Sequence, residues 1–230
     1  MKYKDMYEVD KTFFDRFNSF AQGDVAENTN ISVDCHQRSL AVLATLIGMQ
    51  SYDYFKVILP EVIDKGISLI EIKEVVYQAT PYLGIGRSYP FLAIVNDFLN
   101  ENNYDLPLVD QSTTTMDNRL EKGIDCQVRI FGEQMKDYYK ASPVNRLLAE
   151  NCFGDYYTRK GLELKDRELI TFCFLLGQGD TASQLKSHLI GNINVGNSIE
   201  FMTKLVQQMI PYIGYPRVLN ALKIISDLKK

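Results

Sequence analysis

Few side chains in this 230-residue chain are of types that carry chemistry, and their spacing is restrictive. There are two histidines, His36 and His188, and four cysteines, Cys35, Cys126, Cys152 and Cys173. No two cysteines form a C-x-x-C pair and neither histidine clusters with them, so the spacing fits no zinc site and no disulfide framework. The reading for the thiols is four buried, free cysteines in a reducing compartment. Cys173 lies on an apolar stripe. His36 stands just before a helix that Asp34 caps. No metal or nucleotide motif appears, so no cofactor is expected.

The elements that position these residues are set by an internal repeat, the first feature to look for in a chain. Pro211-Tyr212-Ile213-Gly214-Tyr215-Pro216-Arg217 returns the pattern of Pro81-Tyr82-Leu83-Gly84-Ile85-Gly86-Arg87 at a constant offset of 130. Val206, Gln208, Ile224 and Asp227 also equal the residues 130 positions earlier. The apolar positions Leu40, Leu43, Ala44 and Ile47 follow i, i+3, i+4, i+7, and Leu169, Phe172, Cys173 and Leu176 repeat them at an offset of 129. One extra residue therefore lies around the second helix of the later copy.

Neither copy alternates as a strand does, so the class is all-α: two tandem helical repeats, at 10–100 and 117–230. Lys11–Ala21 reads as a short amphipathic helix, 23–32 as a loop, and Asp53–Lys65 as a helix closed by Gly66. Ser68 and Glu71 form a capping box, and Asn197–Glu200 offers the equivalent start. Pro81 is expected to break or kink its helix. Asn100–Thr115 is the linker, and Asp117–Tyr139 reads as one long helix.

Composition bounds the partners. Hydrophobic residues make up 46% and charged residues 23%, enough to bury a core. A net charge of −4 leaves no basic footprint for nucleic acid. The first eleven residues do not read as a secretory signal, and no apolar run is long enough to span a membrane. A soluble cytoplasmic protein is the expectation.

The second half resembles a known family. The carrying strings are Phe153-Gly154-Asp155 with Arg159 and Gly161-Leu162, Lys165–Leu169, Leu185–Leu189 with Gly191, Asn194 and Gly196, and Pro211–Leu222. Over about Ile124–Leu228 they are similar to γ-carboxymuconolactone decarboxylase. The first half keeps Arg38 and the Pro81–Arg87 turn, so the chain resembles a tandem member of the carboxymuconolactone decarboxylase superfamily. That superfamily also holds the alkyl hydroperoxide reductase D-like peroxidases. The resemblance implies an all-α, alkyl hydroperoxide reductase D-like fold in homo-oligomeric rings. For two fused copies it implies a homotrimer of six quasi-equivalent repeats.

It also implies roles. The peroxidase branch needs two cysteines three apart, and neither Asp180–Gln184 nor Ser51–Phe55 supplies a sulfur. The decarboxylase branch keeps a glutamate and a histidine, here Glu168 and His188, with His188 as proton donor. Arg159, Arg217 and Arg167 are the candidates for the carboxylates of a small anionic lactone or related acid. Plainer readings stand beside these. His188 fits a core histidine, and Glu168 complements a helix N-terminus. Arg217 and Arg167 recur as Arg87 and Arg38, which favours structural work, and Tyr82 and Tyr212 read as packing. Ser39 stands at the position of Glu168, and Ile58 or Leu59 at that of His188, so the first copy reads as a scaffold. The function implied is a cofactor-free carboxy-lyase. The alternatives are a ring-forming member that binds without turnover, or a divergent oxidoreductase using Cys152 or Cys173.

Overall fold

The computed structural model describes residues 3–28 and 30–228. Among them the chain forms thirteen α-helices and no strand, so the class is all-α. The first half holds α1 (Tyr3–Val9), α2 (Lys11–Asn18), α3 (Cys35–Gly48), α4 (Tyr52–Asp64), α5 (Leu69–Leu83) and α6 (Ile85–Glu101). The second holds α7 (Arg119–Phe131), α8 (Pro143–Leu147), α9 (Leu164–Gln178), α10 (Ala182–Asn194), α11 (Ile199–Gln208), α12 (Ile210–Ile213) and α13 (Tyr215–Asp227).

The centre is the pair α3 and α9. Every residue from Ser39 to Gly48 and from Arg167 to Gly177 is buried. The expected single apolar stripe is thus replaced by burial on all faces, the condition of a helix inside a core. The two helices cross where each has a glycine. A Cβ on Gly48 would lie 2.4 Å from the Phe174 carbonyl oxygen, and one on Gly177 would lie 2.4 Å from that of Thr45. The halves therefore join backbone to backbone. One apolar core runs from Leu40 to Ile225, so the boundary between 10–100 and 117–230 does not separate two cores.

Local signals explain most element ends. Asp34 accepts the amides of His36 and Gln37 and starts α3, which places His36 inside the helix rather than before it. Gly66 and Gly196 end α4 and α10 at φ 93° and 101°. Ser68 and Glu71 complete a capping box. Ser198 keeps only half of it, since Phe201 stands where the glutamate would reach back.

Other expectations need correction. The loop at 23–32 begins later, because α2 runs on into a π-helical segment, Ser19–Ala26. The long helix at 117–139 stops at Phe131, where Gly132 takes φ 98°, a left-handed conformation that favours glycine. α8 likewise continues as a π-helix, Leu148–Tyr157. Pro81 sits within α5 without ending it, whereas Pro211 opens the separate helix α12. The extra residue expected around the second helix of the later half lies in the turn that leads into α10. Gln50 and Asp180 take φ 61° and 55°, and Gly179 at 74° is the insertion. The position matching His188 is therefore Ile58.

Candidate functional site

Glu168 lies one turn inside α9 and is fully buried. His188 lies on α10, and its Nδ1 is 2.9 Å from Glu168 Oε2. Two features bring the helices this close. Gly191, one turn beyond His188, leaves the room: a Cβ there would lie 2.4 Å from Glu168 Oε2. Asn192 then fastens the contact, its amide donating to the Glu168 and His188 carbonyls at 2.9 and 2.7 Å. Asn197 braces Asn192 Oδ1 at 2.8 Å and donates to the Lys165 carbonyl at 3.0 Å.

The second Glu168 oxygen accepts from Tyr157 Oη at 2.7 Å. Tyr157 also meets Thr171 Oγ1 at 2.8 Å, and its oxygen accepts from Tyr82 Oη at 3.1 Å. Burial, with the Glu168 carboxylate beside it, pushes the Tyr157 phenol well above its ordinary range. Burial does the same to Tyr82, with Cys152 and Glu168 adding to it. Both phenols therefore stay protonated near neutral pH and act as donors.

Tyr82 comes from the first half. With Glu74 and Gln78 it forms an i, i+4, i+8 row on α5 that faces the second half. Gln78 donates to Thr171 Oγ1 at 2.9 Å and accepts from Arg167 Nη1 at 2.7 Å. Arg167 Nη2 donates to Glu74 Oε2 at 3.0 Å and to the Arg159 and Lys160 carbonyls at 2.7 and 3.0 Å. The result is a continuous chain of hydrogen bonds through the core: Glu74, Arg167, Gln78, Thr171, Tyr157, Glu168, His188. Linked polar groups in a low-dielectric interior strengthen one another and hold a single geometry.

The His188 ring stands between two aromatic rings. Tyr82 lies 5.3 Å away at 79° and Phe131 5.7 Å away at 75°, both edge-to-face. With Nδ1–H given to Glu168, Nε2 makes no hydrogen bond among the described residues, and the side chain keeps 10% exposure. Such a histidine is fixed in tautomer and orientation, and its second nitrogen can take or give a proton.

The structure thus brings Glu168 and His188 together. It does not bring the three arginines to His188. Arg167 is 1% exposed, and both its terminal nitrogens are engaged inside the core while its Nε is buried without a partner. Arg159 Nε donates to both Glu74 oxygens at 3.0 Å, with further bonds to Ser112 and Asp110 on the linker. Burial acts most strongly on the Arg159 pKa and lowers it, but the hydrogen bonds and charges of Glu74 and Asp110 together outweigh it and raise the pKa. Arg217 donates to the Gly177 carbonyl at the opposite end of α9, where it closes a helix C-terminus. Arg87, its counterpart, is exposed.

Sequence reasoning missed Tyr157, Thr171 and Gln78 and read Tyr82 as packing. Tyr157 lay within the Phe153–Leu162 string, but the link from Tyr82 to the second half is purely tertiary.

The thiols divide. Cys126, Cys152 and Cys173 are buried, and burial pushes each up to about 12. Cys35 is exposed, contrary to the expectation of four buried thiols. No group of three or more metal-ligating side chains occurs among the described residues, and no helix there is long and apolar enough to cross a membrane.

Residues 143–227 match the model of the Carboxymuconolactone decarboxylase family. The match begins at α8, ends with α13, and contains Glu168, His188, Arg159, Arg167 and Arg217. It supports membership of the carboxymuconolactone decarboxylase superfamily for this part of the chain. No curated protein matches the chain.

Proposed function

We propose that the chain is a tandem carboxymuconolactone decarboxylase-like protein whose second half is a cofactor-free carboxy-lyase. Its substrate is a small anionic lactone or related acid. The observation that carries this reading is the 2.9 Å pair of His188 Nδ1 and Glu168.

In the step, the bond from the substrate carbon to its carboxylate breaks and carbon dioxide leaves. The electron pair stays on the carbon as a carbanion or dienolate. The imidazolium of His188 delivers its Nε2 proton to that carbon, and neutral His188 is re-protonated by solvent. Glu168 stabilises the imidazolium through Nδ1–H, and Tyr157 holds Glu168. Tyr82 and Phe131 shield the ring, so the transfer takes place largely out of water.

The test is carbon dioxide release from γ-carboxymuconolactone. His188→Asn is expected to lower turnover by roughly 10²–10⁴-fold, the usual range for loss of a general acid, with the far-UV helical signal unchanged. Unchanged turnover in that variant removes the mechanism.

A second reading, binding without turnover, is favoured by one observation: all three arginine forks are already engaged. It predicts no carbon dioxide release from the wild-type protein. Thiol peroxidase chemistry has less support, because three of the four thiols are buried and carry a pKa of about 12.

A further inference from the structure

The recess related to the His188 site by the repeat lies in the first half and is built differently. Arg38 stands 129 residues before Arg167, and Tyr212 stands 130 after Tyr82. Arg38 Nη2 donates to Tyr212 Oη at 3.3 Å, as α12 reaches into the first half, and to the Ala21 carbonyl at 3.5 Å. The contact with Tyr212 mirrors the reach of Tyr82 into the second half.

The carboxylate is what is missing. Glu74, which neutralises Arg167, has Lys204 as its counterpart, and Lys204 pairs instead with Glu200 at 3.3 Å. No carboxylate lies within ion-pair distance of Arg38 among the described residues. One acceptor is left over as a result: Gln208 Oε1 is buried without a partner, whereas its counterpart in Gln78 accepts from Arg167. Arg38 Nε is buried without a partner too, as Arg167 Nε is in the other half. What separates the two arginines is the ion pair: a guanidinium held away from solvent with no anion beside it is costly, and a carboxylate offsets that cost.

Beside Arg38 is a partly enclosed recess with about 30 Å³ of room for water-sized solutes. A single water needs roughly 10–15 Å³ on this measure, so the space suits the two oxygens of a carboxylate and little more. Arg38, Ser39, Tyr54, Ile58, Lys65 and Tyr212 line it. Glu61 also lines it, the one acid against Arg38 and Lys65. Because the Tyr212 oxygen accepts from Arg38, the phenol hydrogen remains available as a donor. Ser39 and Ile58 replace Glu168 and His188, so the recess has no acid–base pair and can bind without reacting.

We propose that this recess is a binding site for a small carboxylate anion, held by Arg38 and Tyr212 where the other half has the internal carboxylate Glu74.

The test is calorimetric titration of the full chain with acetate, supported by the line width of ¹³C-labelled acetate. Saturable binding is expected. Arg38→Gln should weaken it at least tenfold, and Tyr212→Phe should weaken it by less. Glu61→Gln should tighten it, by removing the competing charge. His188→Asn should leave it unchanged, which separates this site from the proposed lyase centre. If Arg38→Gln does not fold, the Tyr212→Phe and Glu61→Gln pair decides. The proposal is overturned if the wild type binds no acetate saturably, if binding survives in folded Arg38→Gln, or if His188→Asn abolishes it.

Discussion

Glu168 is a fully buried carboxylate held by two side-chain donors, Tyr157 and His188. Removing one of them leaves the charge partly unsatisfied, and a buried charge that loses a donor costs more than a neutral group in the same place. Tyr157→Phe should therefore destabilise the fold by about 1–3 kcal/mol, read from the urea midpoint. A midpoint equal to wild type would mean that Glu168 finds another donor. The cysteines make a second residue-scale test. In native protein at pH 8, a thiol-reactive dye should label Cys35 rapidly and the other three only on unfolding, since they lie in the core with a pKa of about 12. Two fast-labelling thiols would contradict that burial. At this scale the sequence was legible where a local string carried the signal. Glu168 and His188 sit in such strings. The arginines sit there too, yet their partners Glu74 and Asp110 lie 85 and 49 residues away from Arg159, and no local pattern announces an internal ion pair across that distance.

At the scale of elements, capping and glycine chemistry made the boundaries of α3, α4 and α5 readable. The π-helical runs were not, because they arise where packing widens a helix, and residue spacing carries no mark of that. Nor did any pattern show that Gly48 and Gly177 form the crossing of α3 and α9. Gly48→Ala and Gly177→Ala each place a methyl group 2.4 Å from a carbonyl oxygen of the opposite helix. Each should lower stability by roughly 1–3 kcal/mol, as overpacking does. Because both act on one crossing, the double variant should cost less than the two single costs combined, measured by chemical denaturation. Full additivity would show that the two contacts yield independently.

At the scale of the molecule, the all-α class was legible from periodicity, while the shared core was not: each half on its own reads as a complete unit. We propose homo-oligomeric assembly, with a homotrimer as the expected form. The support is the resemblance and a pair of exposed apolar side chains, Ile190 and Ile193, on the same helix as His188. Light scattering should give about three times the 26.3 kDa chain mass. A monomer mass would remove the assembly.

The row Glu74, Gln78 and Tyr82 has a consequence for heredity rather than for packing. A lesion in the first gene segment at any of these three codons acts on the apparatus encoded by the second. The reverse holds for Tyr212 and Arg38. The two halves therefore cannot change independently of one another at these positions. A scan of variants would group by which recess a residue touches, and that grouping would cut across the linear order of the chain.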